Sequence, residues 1–571
     1  MNNTMNRLII TLASCFVVQF SVAANLPLNF ETDLQNKERL NNVINSELKK
    51  SDEVLQRQKF IFQNQKKDQD QGLLSADKYK FILNNIIVDT GDEKFFQFDI
   101  RPVLQPYMNK LTGKKEIFSL LKDVNNFLAQ KGFVTSSATL TPANLKQGIL
   151  KITIQWGKVE NVIINNNPLR SVSEKMLVSQ ALGNIYGKIL NIHDIDQGIE
   201  NISNYANAAR IDIQPSAISG YSVLNISLSP SQMSAWNLSV DNSGPSSSPK
   251  GGLYRYNLGY SASNILFGID TLGIRLNTRY LGHEDNYNYY AGLNYDVPYG
   301  STSLGLQASI NNNGKPIRGS YGSYDSKSAG ETYSARMTQV LTRNSTDKTS
   351  GYVELQRKRV RNYVDGLMTS VNSKPFTDLN IGLQNTTHIA GGGLYSEISY
   401  NRGLSIFSGS TGGYDSNSKP LNYQRLVFNA AWSPSFSMYD QQILLSSRLS
   451  GQYTKDRLLD SYRFVVGDEY TVRGYKNDGF TSDKGIVLSN TLTIPLMFSN
   501  IRMSPFVGID AAYLNNNGED VITHAYGAAV GVKNSFSNVD TSLTLGIPLG
   551  HSPSSNGLDP YVIYWNVGLS I

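Results

Sequence analysis

From about residue 231 to residue 571, apolar and polar positions alternate with period two, one segment after another. That is the pattern of a pleated sheet with one apolar and one polar face. In 288–297, Tyr289, Ala291, Leu293, Tyr295 and Val297 share one face, and Asn288, Tyr290, Gly292, Asn294 and Asp296 the other. Pro298-Tyr299-Gly300 then reads as a tight turn, and Thr302, Leu304, Leu306, Ala308 and Ile310 resume the apolar face. The apolar faces carry tyrosines, and tight turns alternate with long polar loops. Both features favour a transmembrane β-barrel over a soluble sandwich. At roughly 20 residues per strand and connection, the segment predicts roughly 16 antiparallel strands, enough to enclose an aqueous lumen. Tyr561, Ile563, Trp565, Val567, Leu569 and Ile571 alternate up to the last residue, so the final strand is expected to pair with the first and close the barrel.

Ahead of residue 231 the pattern changes. Leu34, Leu40, Val43, Ile44 and Leu48 make a thin apolar stripe on a helix over Thr32–Lys50, opened by a capping box at Thr32 and Gln35. The rest of that helix is polar, as suits a water-filled cavity. Residues 51–76, rich in Gln, Lys and Asp, read as a flexible periplasmic linker. Two α+β units follow, over 77–158 and 159–230. Ile117, Leu120, Leu121, Val124 and Leu128 form the helix face of the first, and Ile192, Ile195, Ile199 and Ile202 that of the second. Each then runs a strand to a proline, Pro142 or Pro215, and ends on an alternating strand, a weak internal repeat. Residues 1–24 have the charge, apolar run and small residues of a signal peptide, although Leu12-Ala13-Ser14-Cys15 also suits lipoprotein processing.

Composition narrows the chemistry. The single cysteine lies in the leader, so the mature chain is expected to hold no disulfide and no thiolate site. A net charge of +6 over 571 residues is no nucleic-acid signature. The five histidines are scattered, His283-Glu284-Asp285 reads as a solvated loop, and no glycine-rich loop leads into Lys-Ser/Thr. Hence no enzyme activity, metal, cofactor or nucleic-acid partner is expected. The triple glycine Gly391–Gly393 sits in a strand-like run, where it is expected to relieve packing.

The most distinctive stretches are Asp241-Asn242-Ser243-Gly244 on the first barrel strand, Gly467-Asp468-Glu469-Tyr470-Thr471-Val472-Arg473-Gly474-Tyr475, Leu488-Ser489-Asn490-Thr491-Leu492 and Phe506-Val507-Gly508-Ile509-Asp510. With the order of leader, polar helix, linker, two modules and barrel, they resemble the outer-membrane transporters of two-partner secretion, a family that includes the filamentous hemagglutinin and contact-dependent inhibition transporters. The resemblance covers the whole mature chain. It implies that the modules are polypeptide-transport-associated (POTRA) domains in the periplasm, that the helix plugs the pore, and that the chain exports a large exoprotein in extended form without ATP. That partner would be an adhesin, a hemolysin or a contact-dependent toxin. Lipid and the barrel-assembly machinery would be further partners, and an insertase of the same superfamily is the alternative reading. Two departures stand out: Asp510-Ala511-Ala512 where the family has Asp-x-Gly, and Ile571 where it ends on phenylalanine.

Within the loop, Val472, Arg473, Gly474 and Tyr475 place a cation between an apolar residue and a glycine. Alternation over Phe506–Leu514 points Val507, Ile509, Ala511 and Tyr513 to lipid, and Gly508, Asp510 and Ala512 to the lumen. A loop folded into the lumen is therefore expected to bring Arg473 against Asp510. In a partly wet lumen such a pair is worth about 1–3 kcal/mol, and a charge-swapped pair is expected to recover part of the function.

Overall fold

The computed structural model describes residues 30–67, 80–91, 98–142, 147–203, 208–229, 234–243, 254–266, 268–279, 287–319, 322–344, 346–369, 373, 375–404, 406, 422–476, 479–552 and 559–571. The signal segment with its alternative processing box, Gly244 and His283–Asp285 lie outside them.

Sixteen antiparallel strands form a closed barrel. The first strand, Ser234–Asp241, pairs with the last, Val562–Ser570, from Asn237 opposite Ser570 to Asp241 opposite Asn566. Trp236 and Ile571 exchange backbone hydrogen bonds of 2.8 Å in each direction, so pairing continues to the final residue. Closure satisfies the backbone groups that an open edge would strand in hydrocarbon. The alternating apolar residues face outward: Tyr289, Leu293, Leu304, Leu306, Val507 and Ile509 are all exposed to the surroundings of the barrel. Thr302–Gly319, Gly322–Arg343 and Lys348–Val364 run for 18, 22 and 17 residues. A tilted strand needs about 9–11 residues to cross a bilayer, so this side of the barrel stands above the membrane.

The two modules share an architecture. In the first, Asn85–Asp89 runs parallel to Ile149–Gln155, which Ser137–Thr141 flanks antiparallel. In the second, Lys158–Ile164 runs parallel to Tyr221–Ser229, flanked by Ala208–Pro215. Leu120, Val124 and Leu128 of the helix Lys114–Gln130 bury against Leu150, Ile152 and Ile154. Ile192, Ile195, Ile199 and Ile202 likewise bury, on the helix Ile192–Ile202, beside Leu224 and Ile226. Each such side chain contributes about 1.5–3 kcal/mol, which lets a module of this size hold its shape.

The N-terminal helix differs from expectation in length. It runs from Phe30 to Lys67, so it starts ahead of the capping box expected at Thr32 and continues through much of the stretch 51–76 read as a flexible linker. The physical reason is composition. Glu, Gln, Lys, Arg and Leu in that stretch are good helix formers, and low hydrophobicity alone does not unfold a helix already nucleated. Its first half threads the barrel: Leu34 packs on Val465, while Leu40, Ile44 and Leu48 pack on Tyr395 and Ala431 of the wall. Val43, the remaining member of the stripe, stays exposed on a cavity instead. The triple glycine also departs from a plain strand. Gly391, with φ +78°, turns the hairpin after Ala390, whereas Gly392 and Gly393 open the next strand. A Cβ on Gly393 would lie 2.9 Å from Leu48 Cδ2, so that glycine does make room for the helix.

Candidate functional site

The loop 467–476 descends into the barrel and is caged by its own side chains. The Asp468 carboxylate accepts from Tyr470 N at 2.9 Å and from Thr471 Oγ1 at 2.8 Å, while Thr471 Oγ1 accepts from Gly467 N at 2.9 Å. These turns fix the next four residues. Val472 is fully buried among Val466, Val487, Ala512, Leu514 and Ala525.

Arg473 does meet Asp510. Its Nε donates to Oδ2 at 2.7 Å and its Nη2 to Oδ1 at 2.6 Å, the bidentate fork that lysine cannot make. The Arg473 backbone N–H also reaches Oδ2 at 3.0 Å, Nη1 donates to Thr491 Oγ1 at 3.1 Å, and Nη2 to Asn490 O at 3.1 Å. The Asp510 side chain is 0% exposed. The lumen is dry here, so truncating either partner falls in the range of about 3–5 kcal/mol for broken buried pairs. That exceeds the value expected of a partly wet lumen.

The wall is shaped to receive the loop. A Cβ on Gly508 would sit 2.1 Å from Arg473 Nη2, on Gly527 2.2 Å from Arg473 O, and on Gly546 2.8 Å from Gly474 N. Three adjacent strands thus present a flat spot. Gly474 has φ +109° and would drive a Cβ into the Pro548 backbone at 2.5 Å, so only glycine passes here. Tyr475 anchors the far side, its hydroxyl 2.9 Å from Tyr526 O and 2.7 Å from Gly550 O. Of the three wall glycines the sequence exposes only Gly508. Thr491 lies in one of the distinctive stretches but without an assigned contact, and Gly527 and Gly546 carry no signal until strand register is known. Asp510, Ala511 and Ala512 pair with Gly527, Tyr526 and Ala525 without a register break, so the departure from Asp-x-Gly leaves the strand regular.

The first-strand motif belongs to the same assembly. The Asp241 carboxylate accepts from Arg255 Nη2 at 3.0 Å, from Asn257 Nδ2 at 2.8 Å and from Ser243 N at 2.8 Å. Arg255 sits directly opposite Asp241 on the neighbouring strand and also grips Glu38 of the helix. Asn242 closes the seam: its Oδ1 accepts from Trp565 N at 2.8 Å and its Nδ2 donates to Ile563 O at 2.7 Å.

The helix touches the loop and the wall through polar groups. Lys37 Nζ donates to Asp468 Oδ2 at 2.6 Å and to Val465 O at 2.8 Å. Arg448 Nη2 donates to Asn45 Oδ1 at 3.0 Å, and Arg39 reaches Gln307. A cavity of about 600 Å³ remains along one side of the helix, lined by Arg39, Arg275, Tyr290, Asp296 and Arg336 among others. Among the described residues no group of three or more His, Cys, Asp or Glu side chains is placed to hold a metal ion.

Comparisons with known proteins agree with this arrangement. Residues 81–157 match the ShlB-type POTRA domain and 158–215 a further POTRA domain. The chain is 27% identical over 478 residues to the outer membrane transporter CdiB of Dickeya dadantii, covering 81% of this chain and 82% of that one. It is 23% identical over 472 residues to the hemolysin transporter protein HpmB of Proteus mirabilis, covering 79% and 80%. The solved structure of CdiB from Escherichia coli superposes with a TM-score of 0.82 at 21% identity, covering 96% of this chain and all of the other. Residues 220–534, more than half of the chain, match the model for haemolysin secretion/activation proteins ShlB/FhaC/HecB, and the chain belongs to that family.

Proposed function

We propose that this chain is the outer-membrane transporter of a two-partner secretion pair. It captures a large exoprotein in the periplasm through its two modules and passes it in extended form through the barrel, as a conduit rather than an enzyme. The exoprotein is an adhesin, a hemolysin or a contact-dependent toxin. Its edge-on binding to a module strand would add main-chain hydrogen bonds without demanding a folded cargo.

One observation carries the reading: a closed barrel whose lumen holds a helix packed on its wall, with the second module seated on the turn at the periplasmic mouth. A pore blocked by its own detachable segment suits a polymer admitted on demand better than freely diffusing solutes. No energy source is needed inside the chain if folding of the cargo outside makes the passage directional. Deleting residues 77–230 tests this. The barrel should still assemble, and the partner exoprotein should stay in the periplasm; undiminished export by the deletion would overturn the proposal.

A further inference from the structure

At the periplasmic mouth, three separately folded parts share one carboxylate. Glu200, on the last turn of the second module's helix, accepts from Arg343 Nη1 at 2.6 Å and from Lys348 Nζ at 2.7 Å, and lies 3.9 Å from Lys50 Nζ. Arg343 and Lys348 flank one periplasmic turn of the barrel, and Lys50 belongs to the lumen helix. Glu47, also on that helix, accepts from Lys348 at 2.6 Å. Arg343 further donates to Gln197, one turn before Glu200. Asp347, on the same turn of the barrel, is engaged by Thr346 at 2.7 Å and by Thr387.

A carboxylate near a helix C-terminus opposes the helix dipole. Glu200 is moreover only 7% exposed. Both factors work against a charge there, and neither module folding nor its apolar core requires one. What holds it is external. Burial alone would raise its carboxyl, but Lys348, Arg343 and Lys50 outweigh burial and keep it well below the usual carboxylate range.

With Glu200 in place, three cations face three carboxylates, Glu47, Glu200 and Asp347; without it, three face two and one cation is in excess. Lys50 would then confront Arg343 and Lys348 in a confined space, where like charges repel far more than in bulk water. We infer that Glu200 is the coupling residue between the second module and the plug: the lumen helix is retained only while that module sits on the barrel rim. Cargo that draws the module from the rim, which rests on the transport reading above, removes Glu200, leaves a cation in excess and weakens the hold on the helix's periplasmic end to the pair of Glu47 with Lys348. Docking outside the pore is thereby transmitted to its plug.

The experiment uses the full chain in planar bilayers, with heat-modifiable gel mobility confirming a folded barrel. Glu200→Gln keeps the side chain's shape and should raise the open fraction by about 5–150-fold, the usual span of such couplings. Lys50→Gln alone should change little. Added to Glu200→Gln, it should restore closure, because the repelled cation is gone. A loosened module with no electrostatic coupling would leave the double variant as open as the single one, and that result overturns the inference. Wild-type gating by Glu200→Gln overturns it as well. Failure of the wild-type chain to export any partner would instead count against the transport reading, while the bilayer comparison still decides the coupling.

Discussion

Arg473 makes five hydrogen bonds to three residues of the wall, and Gly508 lies flat beneath its guanidinium. Two consequences follow at the residue scale. Arg473→Lys should behave almost as Arg473→Ala, because an ammonium cannot span both Asp510 oxygens and Thr491 together. Gly508→Ala should do as much harm as either, although it removes no charge. In each variant secreted partner should fall by roughly tenfold or more, consistent with about 3–5 kcal/mol at a broken buried pair, while heat-modifiable gel mobility reports a folded barrel. The charge swap expected from sequence to recover some function should recover little, since an aspartate at 473 leaves Thr491 Oγ1 and Asn490 O without their donor. The pairing of Arg473 with Asp510 was legible because strict alternation assigns each residue of a strand to one face. Gly527 and Gly546 were not, because the loop's path across neighbouring strands depends on barrel register. Glu200 was hidden for the same reason: its partners lie at least 143 positions away in the chain.

At the scale of the element, the lumen helix offers the sharpest test. Over 34–52 it spans about 27 Å at 1.5 Å per residue, close to the height of a barrel's apolar band. Removing residues 30–50 should raise single-channel conductance several-fold at unchanged barrel stability; unaltered conductance would mean that the helix does not fill the pore. The apolar stripe of this helix was legible at Leu34, Leu40, Ile44 and Leu48, which all meet protein. Its extent was not. Sequence polarity after Ser51 reads equally as disorder or as a solvated helix, and only the continuous backbone to Lys67 separates the two. The modules were read more fully, since both helix faces and both final strands carry strong periodicity with no membrane to invert it.

At the scale of the whole molecule, the two modules meet where Ile192 N donates to Gly132 O at 2.9 Å and Asn191 Nδ2 to Lys131 O at 3.2 Å. His193 is packed at that junction, 2.9 Å from where a Cβ on Gly132 would lie. Burial, with Arg343 acting in the same direction, pushes it down to about 4. Its folded form therefore resists protonation that the unfolded chain accepts at about 6.5. Its contribution to stability is complete above that value and is lost as pH falls towards 4. Calorimetry should find module unfolding about 3–6 °C lower at pH 4.5 than at pH 7, and His193→Leu should remove most of that drop. A last consequence concerns the helix's polarity. Among its described side chains, four give up water for an apolar contact, at about 1.5–3 kcal/mol each as an upper bound. Its other contacts are ones that water can replace. A greasy stopper would be stranded once expelled, exposing a surface that invites aggregation. Over its described side chains this one is mostly polar, so a helix that leaves the pore would bare little apolar surface and could seat again.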